Sequence, residues 1–251
     1  MAPKSLFLLA LSPLAGCASA VYRFDAGPIL ARANGDVAVA GTASPFNSAA
    51  KNDVAADLDL GDTSMSAFGR LQADTAENRF RAQSFALDEG GQGTLAQPYG
   101  DIAAGVQVDT ALRVSTLAAN WSHAIVHTEN LRLGVGAQVG YYRCDFTVRA
   151  AASREETIAK SLVPMPFVEG ELFFGDVALG ASFAGMYADA GDARGRFFDA
   201  EVFARWTVTS EFQVFGGYRY ILLDAGGTAT NREFDADVTI DGLYIGVGVC
   251  F

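Results

Sequence analysis

From Tyr22 to the last residue, apolar side chains recur at every second position in one segment after another. Successive side chains of a β-strand point to opposite faces, so this period predicts strands, whereas a helix repeats about every 3.6 residues. Ten such segments can be counted, at residues 22–33, 63–74, 78–89, 104–124, 130–149, 156–174, 177–189, 196–209, 211–225 and 233–251. The pattern predicts an all-β fold of about 10 strands. Because region 34–62 is poorly patterned, counts of 8 or 12 stay open.

The connections between these segments alternate in length. Short turns at residues 75–77, 125–129, 175–176 and 209–210 alternate with longer links at 34–62, 90–103, 150–155, 190–195 and 226–232. Short turns at one end and longer loops at the other are typical of transmembrane β-barrels, whose strands need about 10 residues to cross the bilayer. We therefore predict a transmembrane antiparallel up-and-down β-barrel over residues 21–251, with both termini on the side of the short turns.

The chemistry of the two faces of the predicted strands distinguishes a membrane barrel from a soluble sandwich. In residues 198–208, Val202 and Trp206 lie on one face, and Glu201 and Arg205 lie on the other. A soluble sandwich turns its apolar faces inward and its charges to water. Here most polar faces are small or glycine-rich, which fits a crowded lumen within a lipid-facing exterior. Aromatic residues near strand ends predict girdles at the membrane interface; they are Tyr22, Phe24, Trp121, Tyr141, Tyr142, Phe174, Tyr187, Trp206, Tyr218 and Tyr220.

The final strand carries the most specific motif, because Leu243, Ile245, Val247, Val249 and Phe251 share one face. A chain that ends on an aromatic residue in phase with this alternation resembles the closing strand of small bacterial outer-membrane β-barrel proteins of the OmpA, OmpX and OmpW kind. The resemblance implies location in the outer membrane of a Gram-negative cell envelope, among outer-membrane lipids and lipopolysaccharide. It also implies that this strand is the assembly signal read by the barrel-assembly machinery. It indicates no narrower subfamily.

Residues 1–20 predict an export signal. Lys4 precedes a short apolar run at residues 6–11, which is too short for a spanning helix. Two cleavage patterns then overlap. Residues 14–17 resemble the lipobox of bacterial lipoproteins, in which Cys17 would be acylated, and residues 18–20 have the small-x-small form cut by an ordinary signal peptidase. Lipidation of Cys17 and its removal with the signal both stay open.

The inward face of the predicted barrel carries charges of both signs in near balance. Unpaired charge inside a narrow protein interior is costly, so these groups are expected to pair across the lumen. A barrel of ten strands is little wider than the eight-stranded kind whose side chains fill the interior, and Phe68, Phe85, Phe203 and Phe215 point inward as well. We predict a plugged lumen, or a network that only holds the barrel together. Its members are Arg23, Asp25, Arg70, Arg79, Arg81, Arg132, Glu169, Glu171, Asp199, Glu201, Arg205 and Arg219.

Candidates for chemistry are few. His123 and His127 fall at a predicted periplasmic turn, and Ser122 and His123 point to opposite faces of a strand. Two groups of aspartates lack the spacing of a calcium loop and indicate solvated loop charge; they are Asp53, Asp57, Asp59 and Asp62, and Asp235, Asp237 and Asp241. No phosphate-binding loop, dinucleotide fingerprint or cysteine cluster is present. The sequence therefore predicts no catalytic residues, no cofactor and no metal.

The function follows from these predictions only in outline. A net charge of −11 argues against nucleic acid as a partner. We expect a monomeric, non-enzymatic integral outer-membrane protein that is structural or surface-interacting. One alternative is a narrow channel for small or hydrophobic solutes, which needs a continuous lumen or a lateral opening between strands. The other is an outer-membrane lipid-modifying enzyme, which needs a reactive trio at one rim.

Overall fold

The computed structural model describes residues 20–42, 46–190, 193–229 and 232–251, and these residues form strands, turns and loops. The expected export signal, with Cys17, lies outside them apart from Ala20. No helix in the described part of the chain is long and apolar enough to cross a membrane. The strands are β1 (Val21–Val39), β2 (Asn52–Asp53), β3 (Ser64–Asp74), β4 (Asn78–Thr94), β5 (Gln107–His127), β6 (Leu131–Arg149), β7 (Arg154–Phe174), β8 (Val177–Ala190), β9 (Ala193–Thr207), β10 (Phe212–Ala229) and β11 (Arg232–Cys250).

Ten long strands form a closed ring. Each pairs antiparallel with its neighbour along the chain, and β11 pairs back onto β1, so that Arg23 lies opposite Cys250 and Val39 opposite Phe234. The two-residue strand β2 adds only to the outer end of β1. Closure removes the exposed edges that an open sheet would present. The predicted all-β, antiparallel, up-and-down barrel of about 10 strands is confirmed.

Strand ends differ from the prediction at the outer rim, the one opposite the short turns. β1 runs to Val39 instead of residue 33, and β4 and β10 each continue four or more residues further than predicted. The links predicted at 150–155, 190–195 and 226–232 are therefore short, and only the segments 40–63 and 95–106 are long. Glycines at the outer ends of β1 and β4 interrupt the apolar alternation there, which hid these extensions. The strands thus project well beyond one membrane thickness.

The outside of the barrel is apolar between the two rims. Leu117, Val202 and Leu243 are each more than half exposed on this surface, as the predicted lipid-facing exterior requires. Towards the outer rim, neighbouring strands begin to carry outward-facing charges at the same height along the barrel, as in the ion pair of Asp88 with Arg113. These charges mark the outer border of the apolar band. Most of the predicted girdle residues lie on this exterior. Tyr142 is the exception: it is only 4% exposed, because it follows the outward Tyr141 and alternation turns it inward.

The interior has two layers of different chemistry. The half near the short turns holds the charged residues, and the outer half holds an apolar core. Residues 46–63 and 95–106 contribute to that core, because they fold into the mouth of the barrel. The fully or almost fully buried side chains they supply are Val54, Leu58, Leu60, Leu95, Tyr99 and Ile102. In the predicted link 34–62, residues 34–39 belong to β1 and residues 46–62 fold inward, so these residues are not the solvated external loop that the aspartates suggested.

The inward folding of residues 46–63, the inserted loop, has a local cause in β4. A Cβ atom at Gly91 would lie 1.9 Å from the backbone oxygen of Asp59, and one at Gly93 would lie 2.0 Å from that of Asp57. Only glycine allows the loop backbone to approach β4 this closely. Thr110 on β5 also donates a hydrogen bond of 2.6 Å to the backbone oxygen of Leu58. The loop is thereby held against the inner wall.

Candidate functional site

One carboxylate is the centre of the charged layer. Glu169 on β7 accepts hydrogen bonds from three arginines: Arg79 at 3.3 Å, Arg81 at 3.1 Å and Arg132 at 3.3 Å. Ser122 on β5 donates a fourth at 2.5 Å. All these side chains are buried. A carboxylate has about four acceptor sites, so this one is fully used.

A second carboxylate two residues further along β7 extends the cluster. Glu171 pairs with Arg79 at 2.8 Å and with Arg205 on β9. Arg79 also donates from Nε to Asp74 at 2.6 Å, and Arg23 approaches the same carboxylate at 3.9 Å. The guanidinium groups thus bridge carboxylates from different strands, as their planar fork of donors allows.

The other side of the lumen has its own group of charges. Arg70 on β3 pairs with Glu201 on β9, which also accepts a hydrogen bond from the Tyr244 hydroxyl. The Arg70 guanidinium lies 5.1 Å from the ring centre of Phe68 and 5.7 Å from that of Phe203. Such cation–π contacts strengthen when water is excluded.

A third pair completes the layer. Arg219 on β10 binds Asp199 on β9 through two hydrogen bonds of 3.0 and 2.8 Å, and Asp199 also accepts from Gln138 on β6 at 2.9 Å. Asp25 on β1 accepts from Gln213 at 2.5 Å. Arg219 and Asp199 lie on adjacent strands, whereas the Gln138–Asp199 and Gln213–Asp25 contacts join strands that are not neighbours in the ring and therefore cross the lumen.

The structure places all twelve predicted lumen residues in this layer, eleven of them buried and Arg23 half-buried. The four inward phenylalanines are buried with them, and the Phe68 ring stacks on Tyr244 with centroids 4.8 Å apart. Sequence reasoning missed Asp74, Ser122 and Tyr244 as members. The alternation of side chains along each strand could have identified them. Asp74 shares its face with Arg70, and Tyr244 shares its face with the inward glycines of β11.

The five residues of the terminal motif all face outward. Leu243, Ile245 and Val247 are each about 60% exposed, Val249 is 37% exposed and Phe251 is 71% exposed. Their inward neighbours are glycines, Tyr244 and Cys250. The motif therefore contributes a row of apolar side chains to the lipid-facing surface and leaves the lumen side to small residues.

The residues considered for catalysis are spread apart. His123 and His127 lie on the exterior near the rim of the short turns, with His127 Nδ1 2.7 Å from the backbone oxygen of Ala76. Ser122 points into the lumen instead. Among the described residues, no group of three or more histidine, cysteine, aspartate or glutamate side chains is arranged to hold a metal ion.

The aspartates near the outer rim form ion pairs and hydrogen bonds within the protein, which the sequence did not predict. Asp235 pairs with Lys51 at 2.6 Å and with Arg194, and Asp241 pairs with Arg32 at 3.2 Å. In the inserted loop, Asp53 accepts from backbone amides at 2.8 and 2.6 Å, Asp57 accepts from the Asp53 amide and Asp59 from the Gln92 amide. Asp53, Asp57, Asp59 and Asp235 thus hold the mouth of the barrel together, and Asp241 joins β11 to β1 on the exterior.

The comparisons with known proteins concern the fold. No family model and no curated protein matches the sequence. The outer membrane protease OmpT from Escherichia coli aligns over 93% of this chain and 97% of its own, with a TM-score of 0.60 at 11% identity. Ail, the attachment invasion locus protein of Yersinia pestis, aligns over 93% and 99%, with a TM-score of 0.40 at 9% identity. Neisserial surface protein A aligns over 91% and 96%, with a TM-score of 0.35 at 13% identity. The chain has the fold of the bacterial outer-membrane β-barrel proteins.

Proposed function

We propose that this protein is a non-enzymatic, monomeric, integral protein of the outer membrane whose lumen is closed to solutes, and that its role is structural or surface-interacting. The single observation that carries this proposal is the buried charged layer centred on Glu169. Outer-membrane lipids and lipopolysaccharide cover its exterior, and the barrel-assembly machinery inserts it by reading its last strand. Residues 1–20 serve as the export signal.

The energetics of the layer support a closed lumen. A solute that crossed it would have to separate arginines from carboxylates that are already removed from water, and breaking one such buried pair costs about 3–5 kcal/mol. The aromatic rings around Arg70 fill the space between the charges. Above the layer, the inserted residues 46–63 and 95–106 form a second barrier. Together the two barriers favour a plug over a diffusion pore.

The placement of the histidines favours a non-enzymatic role. An enzyme that acts on lipid or peptide at the cell surface needs its reactive groups at the outer rim. His123 and His127 lie at the opposite rim, outside the barrel, and Ser122 is bound to Glu169. Unchanged lipid A and no proteolysis after overexpression are the expected results.

Conductance in planar bilayers tests the closed lumen. The wild-type protein is expected to give no discrete open-channel steps. The double variant Arg81→Ala/Glu169→Ala is expected to conduct in a Gly91→Val background, because it removes the central pair of the charged layer while the side chain at position 91 displaces the inserted loop from its contact with β4. Arg154→Ala/Glu156→Ala is the matched control, because it removes an exposed pair at the outer rim. Large, stable steps from the wild-type protein would refute the proposal.

A further inference from the structure

The strands β7 and β8 separate in the outer half of the barrel. Their ladder runs from Phe174 opposite Val177 to Phe167 opposite Ala184 and then stops. Both strands continue: β7 stays paired with β6 as far as Arg154, and β8 stays paired with β9 as far as Ala190. In the described part of the chain, the barrel wall is therefore split between these two strands beside residues 162–166 of β7, where the ladder has stopped.

Two prolines account for the position of the split. The Phe173 amide donates a 2.9 Å hydrogen bond to Asn130, on the β6 side. Amide directions alternate along an antiparallel strand, and the β6–β7 register runs without a shift. Pro164 and Pro166 therefore both occupy positions whose amide would face β8. Proline has no amide hydrogen to donate, which confines it to strand edges. The ladder ends one residue before Pro166, so the sequence itself specifies the split.

An apolar cavity lies behind this part of the wall. It has a volume of about 140 Å³, and Ala159 and Ser161 of β7 line it together with Phe197 of β9 and Leu223 of β10. The stacked rings of Tyr142 and Phe197, with centroids 6.0 Å apart, form the end of the cavity nearest the charged layer. Cys144 on β6 faces the same space.

The split opens at the outer border of the apolar band. Leu162 and Tyr187 flank it on the exterior, and they are 70% and 69% exposed. Lys160, the next outward residue of β7, begins the charged zone above. A molecule in the outer leaflet thus meets apolar edges at the split, whereas the charged layer blocks the route from the other membrane face. Lateral entry is the direct path from lipid to the cavity.

We infer that this cavity is a binding site for a small neutral hydrocarbon group, which enters from the outer leaflet between β7 and β8. An engineered apolar cavity of about 150 Å³ binds benzene, so the space suits a ring or alkyl end of about six carbons. A free hydrocarbon and the end of a lipid acyl chain share this chemistry. Binding in the cavity does not depend on the lumen being closed, whereas the exclusion of a route through the lumen rests on the proposed function.

Cys144 gives a direct measure of entry. The full-length Cys250→Ser protein in bilayers is treated with methyl methanethiosulfonate, a small neutral thiol reagent, and modification of Cys144 is followed by mass spectrometry. Saturating cyclohexane is expected to slow modification at least fivefold. The charged reagent 2-sulfonatoethyl methanethiosulfonate, added to the aqueous phase, is expected to modify Cys144 at least tenfold more slowly than the neutral reagent does. Equal rates for the two reagents, or no protection by cyclohexane, would overturn the inference.

Variants separate the split from the cavity. Pro164→Val/Pro166→Val restores the missing donors and is expected to slow modification about tenfold as the ladder extends. Pro28→Val, which changes a lipid-facing proline on β1, is the matched control and should leave the rate unchanged. Ala159→Leu fills the cavity without altering the ladder and is expected to abolish protection by cyclohexane. An unchanged rate in the double proline variant, with heat-modifiable mobility showing a folded barrel, contradicts lateral entry.

The source of the hydrocarbon is decided by photocrosslinking. A phospholipid with a diazirine at the end of one acyl chain is reconstituted with the protein, and crosslinked peptides are mapped. Crosslinks to the cavity-lining parts of β6 and β7 assign the site to an acyl chain. Crosslinks confined to the exterior, together with protection of Cys144 by cyclohexane, assign it to a free hydrocarbon. If neither crosslinks to the cavity nor protection of Cys144 is observed, the site is refuted. The conductance test of the closed lumen is independent of this result.

Discussion

Tyr22 and Phe251 exchange two backbone hydrogen bonds, of 2.9 and 3.0 Å, and their rings stack with centroids 6.0 Å apart. The first strand and the last residue of the chain thus meet at one rim, where β11 closes the ring against β1. Ring closure leaves no strand edge exposed to lipid, and these contacts lie at the seam that closes the ring. The terminal aromatic residue is part of the architecture as well as a candidate assembly signal.

Phe251→Ala is expected to lower the yield of folded barrel several-fold. The change removes the ring that stacks on Tyr22 and the last side chain of the outward row of β11. Phe174→Ala is the control, because Phe174 is a similarly exposed aromatic residue near the same rim, 60% exposed against 71%. The measurement is the heat-modifiable fraction in isolated membranes. Equal losses in both variants would show that only exterior apolar area matters.

Glu169→Gln is expected to lower the free energy of unfolding by about 3–5 kcal/mol, the usual cost of breaking a buried ion pair. The substitution leaves three buried arginines without the carboxylate that they share. Glu156→Gln changes an ion pair that is about half exposed, and such pairs contribute at most about 1 kcal/mol. Urea titration in lipid vesicles gives both values. If Glu169→Gln lowered the free energy of unfolding by less than Glu156→Gln does, the network would not stabilise the barrel.

The ten strands and the inward charges could be predicted because backbone geometry makes side chains alternate. Once Arg70 is placed inward, Gln72 and Asp74 must follow on the same face. The partners across the lumen could not be predicted, because the contact of Arg70 with Glu201 depends on how ten strands are staggered around the ring. The inward folding of Leu58 was also hidden, since the aspartates around it dominate the local pattern. The split beside Pro166 could not be predicted either, because the strand register is needed to know towards which neighbouring strand each amide points.

Gly91→Val is expected to displace the inserted loop from the mouth of the barrel. A side chain at Gly91 would meet the backbone oxygen of Asp59, whereas one at the neighbouring Gly90 would lie on the exposed side, 3.5 Å from the nearest atom. Gly90→Val is therefore a matched control on the same strand. Limited proteolysis of protein in vesicles should cut within residues 46–63 at least tenfold faster in Gly91→Val. Similar rates in the two variants would show that β4 does not hold the loop.

Glu89 makes the stability of the outer half depend on pH. Burial, opposed by a hydrogen bond from the backbone of Ala33 and assisted by the nearby Asp62 carboxylate, raises the pKa of Glu89 from an ordinary value of 4.5 to about 7. The folded protein therefore binds more protons than the unfolded chain between those two values, so the free energy of unfolding falls as the pH rises through this window.

Glu89→Gln should remove that dependence. The variant is expected to match the wild type near pH 4, where Glu89 is protonated in both states, and to exceed it by about 1 kcal/mol at pH 8. Asp88→Asn, at the adjacent outward position, should keep the wild-type pH curve. Urea titrations at several pH values, with hydrogen exchange of residues 54–62 as a local readout, measure both effects. A Glu89→Gln curve parallel to the wild type from pH 4 to 8 would place the titrating group elsewhere.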